Sequence, residues 1–121
     1  MRPLIAGIRP VVWLGDSKDN LKEFPKKVRS DMGAALFAAQ CGEMAEHVKP
    51  FKGVGNGVLE IVDRYKKDAY RLVYAVRIGD KIYVLHVFQK KSRKGIATPQ
   101  QDIGLIKRRY KEAQETAKNE Q

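Results

Sequence analysis

The spacing of apolar residues changes along the chain, and each change marks an element. Ile8 to Leu14 (I-R-P-V-V-W-L) is a short apolar run closed by Gly15 and predicts a strand. Pro10 has no N–H to give to a ladder, so that strand belongs at an edge or carries the proline in its first residues. Asp16 and Ser17 are helix-capping residue types, and Lys18 to Phe24, with Leu21 and Phe24 on one side, predicts a short helix. Pro25 interrupts it and suits the first turn of a second helix. There Val28, Met32, Ala35 and Ala39 recur at spacings of 4, 3 and 4, joined by Leu36. That is one amphipathic stripe, ending near Gly42 or Ala45. Lys49 to Gly57 (K-P-F-K-G-V-G-N-G) is a loop by composition. Its glycines invite a phosphate-loop reading, but no Gly-Lys-Ser/Thr follows and the next element is a strand. It is read as a turn leading into that strand.

Val58 to Arg64, Tyr70 to Arg77 and Lys81 to Gln89 are rich in Val, Ile, Tyr and Phe and predict three strands. Short linkers at Tyr65–Ala69 and Ile78–Asp80 make them an antiparallel meander. The third strand is apolar on both parities: Ile82, Val84 and Phe88 on one, Tyr83, Leu85 and Val87 on the other. It is expected to be central, with both faces covered. After a basic stretch, Thr98 is expected to cap a last helix, with Pro99 in its first turn and Gln101 completing a capping box. Ile103, Ile106, Tyr110, Ala113 and Ala117 form its apolar stripe, and the tail from Lys118 is expected to fray. The order β-α-α-β-β-β-α predicts one α+β domain over residues 1–121, a small antiparallel sheet with helices packed on it.

Composition narrows the function. The chain has 121 residues, one domain's worth, and 31% of them are charged, which is globular composition. The single cysteine, Cys41, excludes an internal disulfide and a cysteine-based zinc site. It lies among alanines and reads as a small core residue. No apolar run approaches a membrane span and the first residues do not resemble a signal peptide, so a cytoplasmic location is expected. The net charge is +10 and uneven: residues 1–61 hold 9 basic and 7 acidic groups, residues 62–121 hold 15 and 7. A field of that sign favours polyanions such as RNA, DNA or an acidic protein.

No metal motif is present, since His47 and His86 stand 39 positions apart without ligand spacing around either. His47 reads as a helix-end residue, and His86 as either a packed histidine or a site residue. Basic and aromatic residues gather around the predicted sheet. Tyr70, Arg71 and Tyr74 lie on its middle strand, Arg64, Lys66 and Lys67 flank the preceding hairpin, and Phe88, Lys90, Lys91, Arg93 and Lys94 leave the next strand. Guanidinium and ammonium groups bind phosphates, and aromatic faces stack unpaired bases. RNA carries its own nucleophile, the 2′-OH, so cleavage needs only orientation, proton acceptance and donation, and positive charge. A lysine with a lowered pKa supplies either proton step. Such a site needs no cofactor; the alternative is electrostatic footing without chemistry.

The run Y-R-L-V-Y (Tyr70 to Tyr74), then V-L-H-V-F-Q-K-K-S-R-K-G-I-A-T-P (Val84 to Pro99), resembles the HigB-like, phage-derived branch of the RelE/ParE toxin superfamily. F-P-K-K-V-R with a following M-G-A-A-L, and K-P-F-K-G-V-G-N-G-V-L-E, extend the resemblance over roughly residues 8 to 113. It implies a microbial-RNase-like fold, with a curved antiparallel sheet, two N-terminal helices and a C-terminal one. It also implies a type II toxin, a ribosome-dependent mRNA endoribonuclease held in check by a neighbouring helix-turn-helix antitoxin. In that pattern Arg71 holds the scissile phosphate, Lys90 and Lys91 supply proton transfer and charge, and Tyr74 stacks a base or only packs. From their clustering around the sheet, Arg64, Lys66, Lys67, Arg93 and Lys94 are expected to contact RNA or the ribosome. The alternative classes are a ParE-like DNA gyrase inhibitor and a basic RNA-binding module without chemistry.

Overall fold

Alternation of apolar side chains on both faces of three long strands forces a layer of helix on each side, and this is the architecture found. The computed structural model describes residues 7–90 and 98–120. Its elements are β1 (Val11–Trp13), α1 (Ser17–Lys22), α2 (Lys26–Gln40), β2 (Val48–Pro50), β3 (Val58–Tyr65), β4 (Asp68–Ala75), β5 (Ile82–Lys90) and α3 (Gln100–Asn119). They form an α+β domain around one five-stranded sheet of order β1-β5-β4-β3-β2. On one face Val28, Met32, Leu36 and Ala39 of α2 pack on Ile61, Leu72, Tyr74, Ile82 and Val84. On the other, Ile106 and Ala113 of α3 pack on Val58, Val73, Ala75, Tyr83 and Leu85, with Ile103, Tyr110 and Ala117 at the margins. No described helix is long and apolar enough to cross a membrane.

The sheet is mixed, not purely antiparallel. β1 runs parallel to β5, Val11 opposite Ile82 and Trp13 opposite Val84, while the other pairs are antiparallel. It is the expected edge strand but shorter, because Pro10 has no N–H and Arg9 turns aside. The Arg9 guanidinium reaches the carbonyls of Val76 at 2.7 Å and Lys81 at 2.9 Å. β2 overlaps the start of the stretch expected to be loop; it pairs Val48 with Ile61 and Pro50 with Leu59 at the other edge. Three residues with a proline carry too little alternation to be read as a strand.

The middle of the sheet is β4, with β5 beside it, covered on both faces as expected. A bulge shifts the β4–β5 register: Val73 pairs with His86 but Tyr74 with Val84. The extra residue reverses the alternation. Val87 therefore joins Ile82 and Val84 on the α2 face, and Phe88 joins Tyr83 and Leu85 on the α3 face. Strict parity placed Phe88 and Val87 the other way round.

The helix ends also depart from expectation. Neither Asp16 nor Ser17 makes a side-chain cap on α1, and Pro99, not Thr98, stands at the cap position of α3 with no side-chain cap bond. Asp16 instead accepts a hydrogen bond from Arg109 at 2.9 Å, which holds its carboxyl below the usual aspartate range. α2 stops at Gln40, so Cys41 is an exposed end residue, not core, and His47 lies beyond the helix next to β2. α3 runs on to Asn119, and Glu120 pairs with Lys81 at 2.6 Å where a frayed tail was expected.

Candidate nucleic-acid interface

The β3, β4 and β5 residues on the α3 face line up in rows across the strands. Glu60, Val73 and His86 are one row; Val62, Arg71 and Phe88 are the next; Arg64, Ala69 and Lys90 are the third. α3 packs on this face against Val73 and Ala75, and its first turn reaches the first row through Asp102.

Arg71 stands at the middle of the rows, and its nearest partner is one the sequence did not single out. Its Nη1 donates to Glu60 Oε1 at 2.8 Å, and Lys49 Nζ lies 3.6 Å from the same oxygen. The Arg71 and Glu60 side chains are 12% and 6% exposed. The pair uses only one prong. Arg71 Nε and Glu60 Oε2 are both buried with no partner. One donor and one acceptor of the pair thus lack partners, with Phe88 paired to Arg71 in the register. Glu60 was legible only as the i+2 neighbour of Val58 and Val62; an acid sharing the parity of these two valines was the available signal.

The neighbouring row carries a second acid–base pair. His86 Nε2 lies 2.8 Å from Asp102 Oδ1, so the imidazole is tied to the first turn of α3. Its ring stacks on Phe88, with centroids 4.6 Å apart and planes at 15°. Nδ1 is buried without a partner. Of the two readings of His86, packing is what these contacts show, and its row lies beside that of Arg71. Among the described residues no group of three His, Cys, Asp or Glu side chains is arranged to hold a metal ion.

The two tyrosines flanking Arg71 lie on the other face. Tyr74 is fully buried in the α2 core and its hydroxyl has no partner. Burial pushes its pKa up to about 12. Of the two expectations for Tyr74, packing is what this environment provides, because strand alternation puts it opposite Arg71's face. Tyr70 packs edge-on against Phe24, with centroids 4.8 Å apart. Lys66 and Lys67 form the two-residue turn between Tyr65 and Asp68, both exposed, Lys66 at φ 57°. Arg64 is exposed at the end of β3, in the row of Ala69. Lys90 is placed by its backbone, opposite Ala69 and two residues past the Arg71–Phe88 pair. Lys91, Arg93 and Lys94 lie outside the described residues.

A small α+β protein whose basic sheet face carries a buried Arg–Glu pair is the class that fold and site define. The chain belongs to the Phage derived protein Gp49-like (DUF891) family, whose model matches residues 19–111, from α1 to the middle of α3. No curated protein and no solved structure matches it.

Proposed function

We propose that this chain is the toxin of a type II toxin–antitoxin pair, a HigB-like member of the RelE/ParE group that cleaves mRNA on the ribosome. Its Gp49-like family and its +10 charge support a phage-derived protein acting on a polyanion. The observation that carries the chemistry is the half-used Arg71–Glu60 pair. Cleavage through the 2′-OH forms a bond from the 2′-oxygen to phosphorus and breaks the bond to the 5′-oxygen, leaving a cyclic phosphate and a 5′-hydroxyl. One proton leaves the 2′-OH and one reaches the 5′-oxygen. The Arg71 guanidinium holds the phosphate oxygens and steadies the charge that grows on them. Glu60, a carboxylate with a free oxygen, accepts the 2′ proton, and Lys90 and Lys91 supply positive charge and the proton for the leaving oxygen. Arg64, Lys66 and Lys67 hold the flanking backbone. A helix-turn-helix antitoxin, encoded beside this chain, is the proposed partner, and the cytoplasm the proposed place of action.

Primer extension on a translated message tests this. Codon-spaced 5′ ends that vanish without translation are the expected result. Arg71→Lys should remove most cleavage although charge is kept, because lysine lacks the planar fork. Lys90→Ala or Lys91→Ala should slow single-turnover cleavage by on the order of 10²–10⁴-fold where that lysine moves a proton. Intact messages together with DNA-damage signalling would mean a gyrase inhibitor. Intact messages with retained RNA binding would leave Arg71–Glu60 as a structural ion pair in a binding module.

A further inference from the structure

The glycine-rich segment between β2 and β3 plays no part in the site above, yet it builds a cavity of its own. The segment is closed by Phe51 N–H on the Val58 carbonyl and by Val76 N–H on the Gly57 carbonyl, each at 2.9 Å. Between these bonds the chain makes two turns, over Lys52–Val54 and Asn56–Gly57. The segment walls an open cavity of about 800 Å³, whose apolar side is made by Met44, Pro50, Leu59 and Val76. Lys52 and Arg77 are its charged lining residues, both exposed, and among the described residues no acidic side chain lines it. Neither cation has an ion-pair partner among the described residues.

The glycines explain how the cavity is held open. A Cβ at Gly55 would collide with the Tyr110 ring of α3, and one at Gly57 would strike the stem of Arg77. These contacts seat the segment on the body of the molecule. Gly53 has φ +91°, and nothing lies within 4 Å of where its Cβ would stand. Backbone that reverses hand at such a residue turns successive N–H groups into an anion-binding concavity. β3 and not a helix follows the segment, so no P-loop forms.

We infer that this cavity is a subsite for RNA, holding one phosphate on Lys52 and Arg77, with the adjoining nucleoside against the Met44–Val76 wall. Cations position a phosphate, and an apolar wall accepts a base face without reading its sequence. Val58 lies four positions along β3 from Val62, the residue paired with Arg71. That is about 13 Å, so the subsite engages a neighbouring part of the strand and not the phosphate at Arg71. The inference rests on the proposed RNA reading for the source of the phosphate and not for the anion chemistry.

Amide NMR titrations of the full chain with inorganic phosphate, adenosine 5′-monophosphate and a short oligoribonucleotide test it. The amides of Gly53 to Asn56 should shift with all three, the oligonucleotide acting at the lowest concentration and phosphate at the highest. Lys52→Gln with Arg77→Gln, both exposed positions, should weaken the oligonucleotide by about tenfold and flatten its salt dependence. Arg71→Lys should leave these shifts in place, so the subsite stands or falls apart from cleavage. Shifts confined to residues around Arg71 would overturn the inference. Saturation by inorganic phosphate at the nucleotide's own concentration would also overturn it, assigning the cavity to free phosphate.

Discussion

Tyr74 and Glu60 are near Arg71 in different senses, one three positions along the same strand and one diagonally across the β3–β4 ladder, and substitution separates their roles. Tyr74→Phe removes a buried hydroxyl that has no partner, so it should leave cleavage unchanged and thermal stability equal or slightly higher. A large loss of activity with the fold intact would restore Tyr74 to the site. Glu60→Ala leaves the Arg71 guanidinium largely buried and unpaired, and should cost about 3–5 kcal/mol in a denaturant titration. Glu60→Gln with Arg71→Met, which removes both charges, should recover much of that stability while cleavage stays absent. A double variant that cleaves normally would dismiss the pair from the chemistry.

At the scale of elements, the start of α3 is held to β5 by side chains and not by a cap. Asp102 takes the His86 ring, and Arg109 spans from the Leu85 carbonyl at 3.0 Å to Asp16. Asp102→Ala removes the partner of an imidazole that is 7% exposed. It should destabilise the protein by about 1–3 kcal/mol, with early hydrogen exchange in the first turns of α3. Thr98→Ala should be close to neutral, since no side-chain cap bond is present to lose. A cost above about 1 kcal/mol for Thr98→Ala would show that the capping box forms in solution.

For the whole molecule, pH acts through a pair of carboxyls on the α2 face. Burial raises the pKa of Asp63 on β3, and a hydrogen bond and charge from Asp31 on α2 raise it further. Asp31 is lowered, chiefly by Lys27, 2.7 Å away. Asp63, raised in the fold, contributes stability below its ordinary value of 3.8. That contribution is lost as pH rises through its folded value. Asp31, lowered in the fold, contributes above 3.8 and loses this as pH falls through its folded value. Asp63→Asn should therefore raise the melting temperature at neutral pH and flatten the loss of stability that Asp63 causes as pH rises above 3.8. An unchanged pH profile in Asp63→Asn would refute the assignment.

Much of this protein follows from short-range pattern. The apolar stripes of α2 and α3 and the three long strands were legible because helix and strand periods differ and each stripe had to be buried. The charge asymmetry and Arg71's place on a strand were legible for the same local reason. What needed the tertiary structure was everything set by pairing. A single bulge in β5 reversed the face of Val87 and Phe88, since a period of two inverts with one extra residue. β1's parallel pairing and β2's edge place depend on partners distant in the chain. Glu60 became Arg71's partner only when register brought two positions 11 residues apart onto one face. Tyr74, two residues from Val76 on the same strand as Arg71, went to the opposite core by that same alternation.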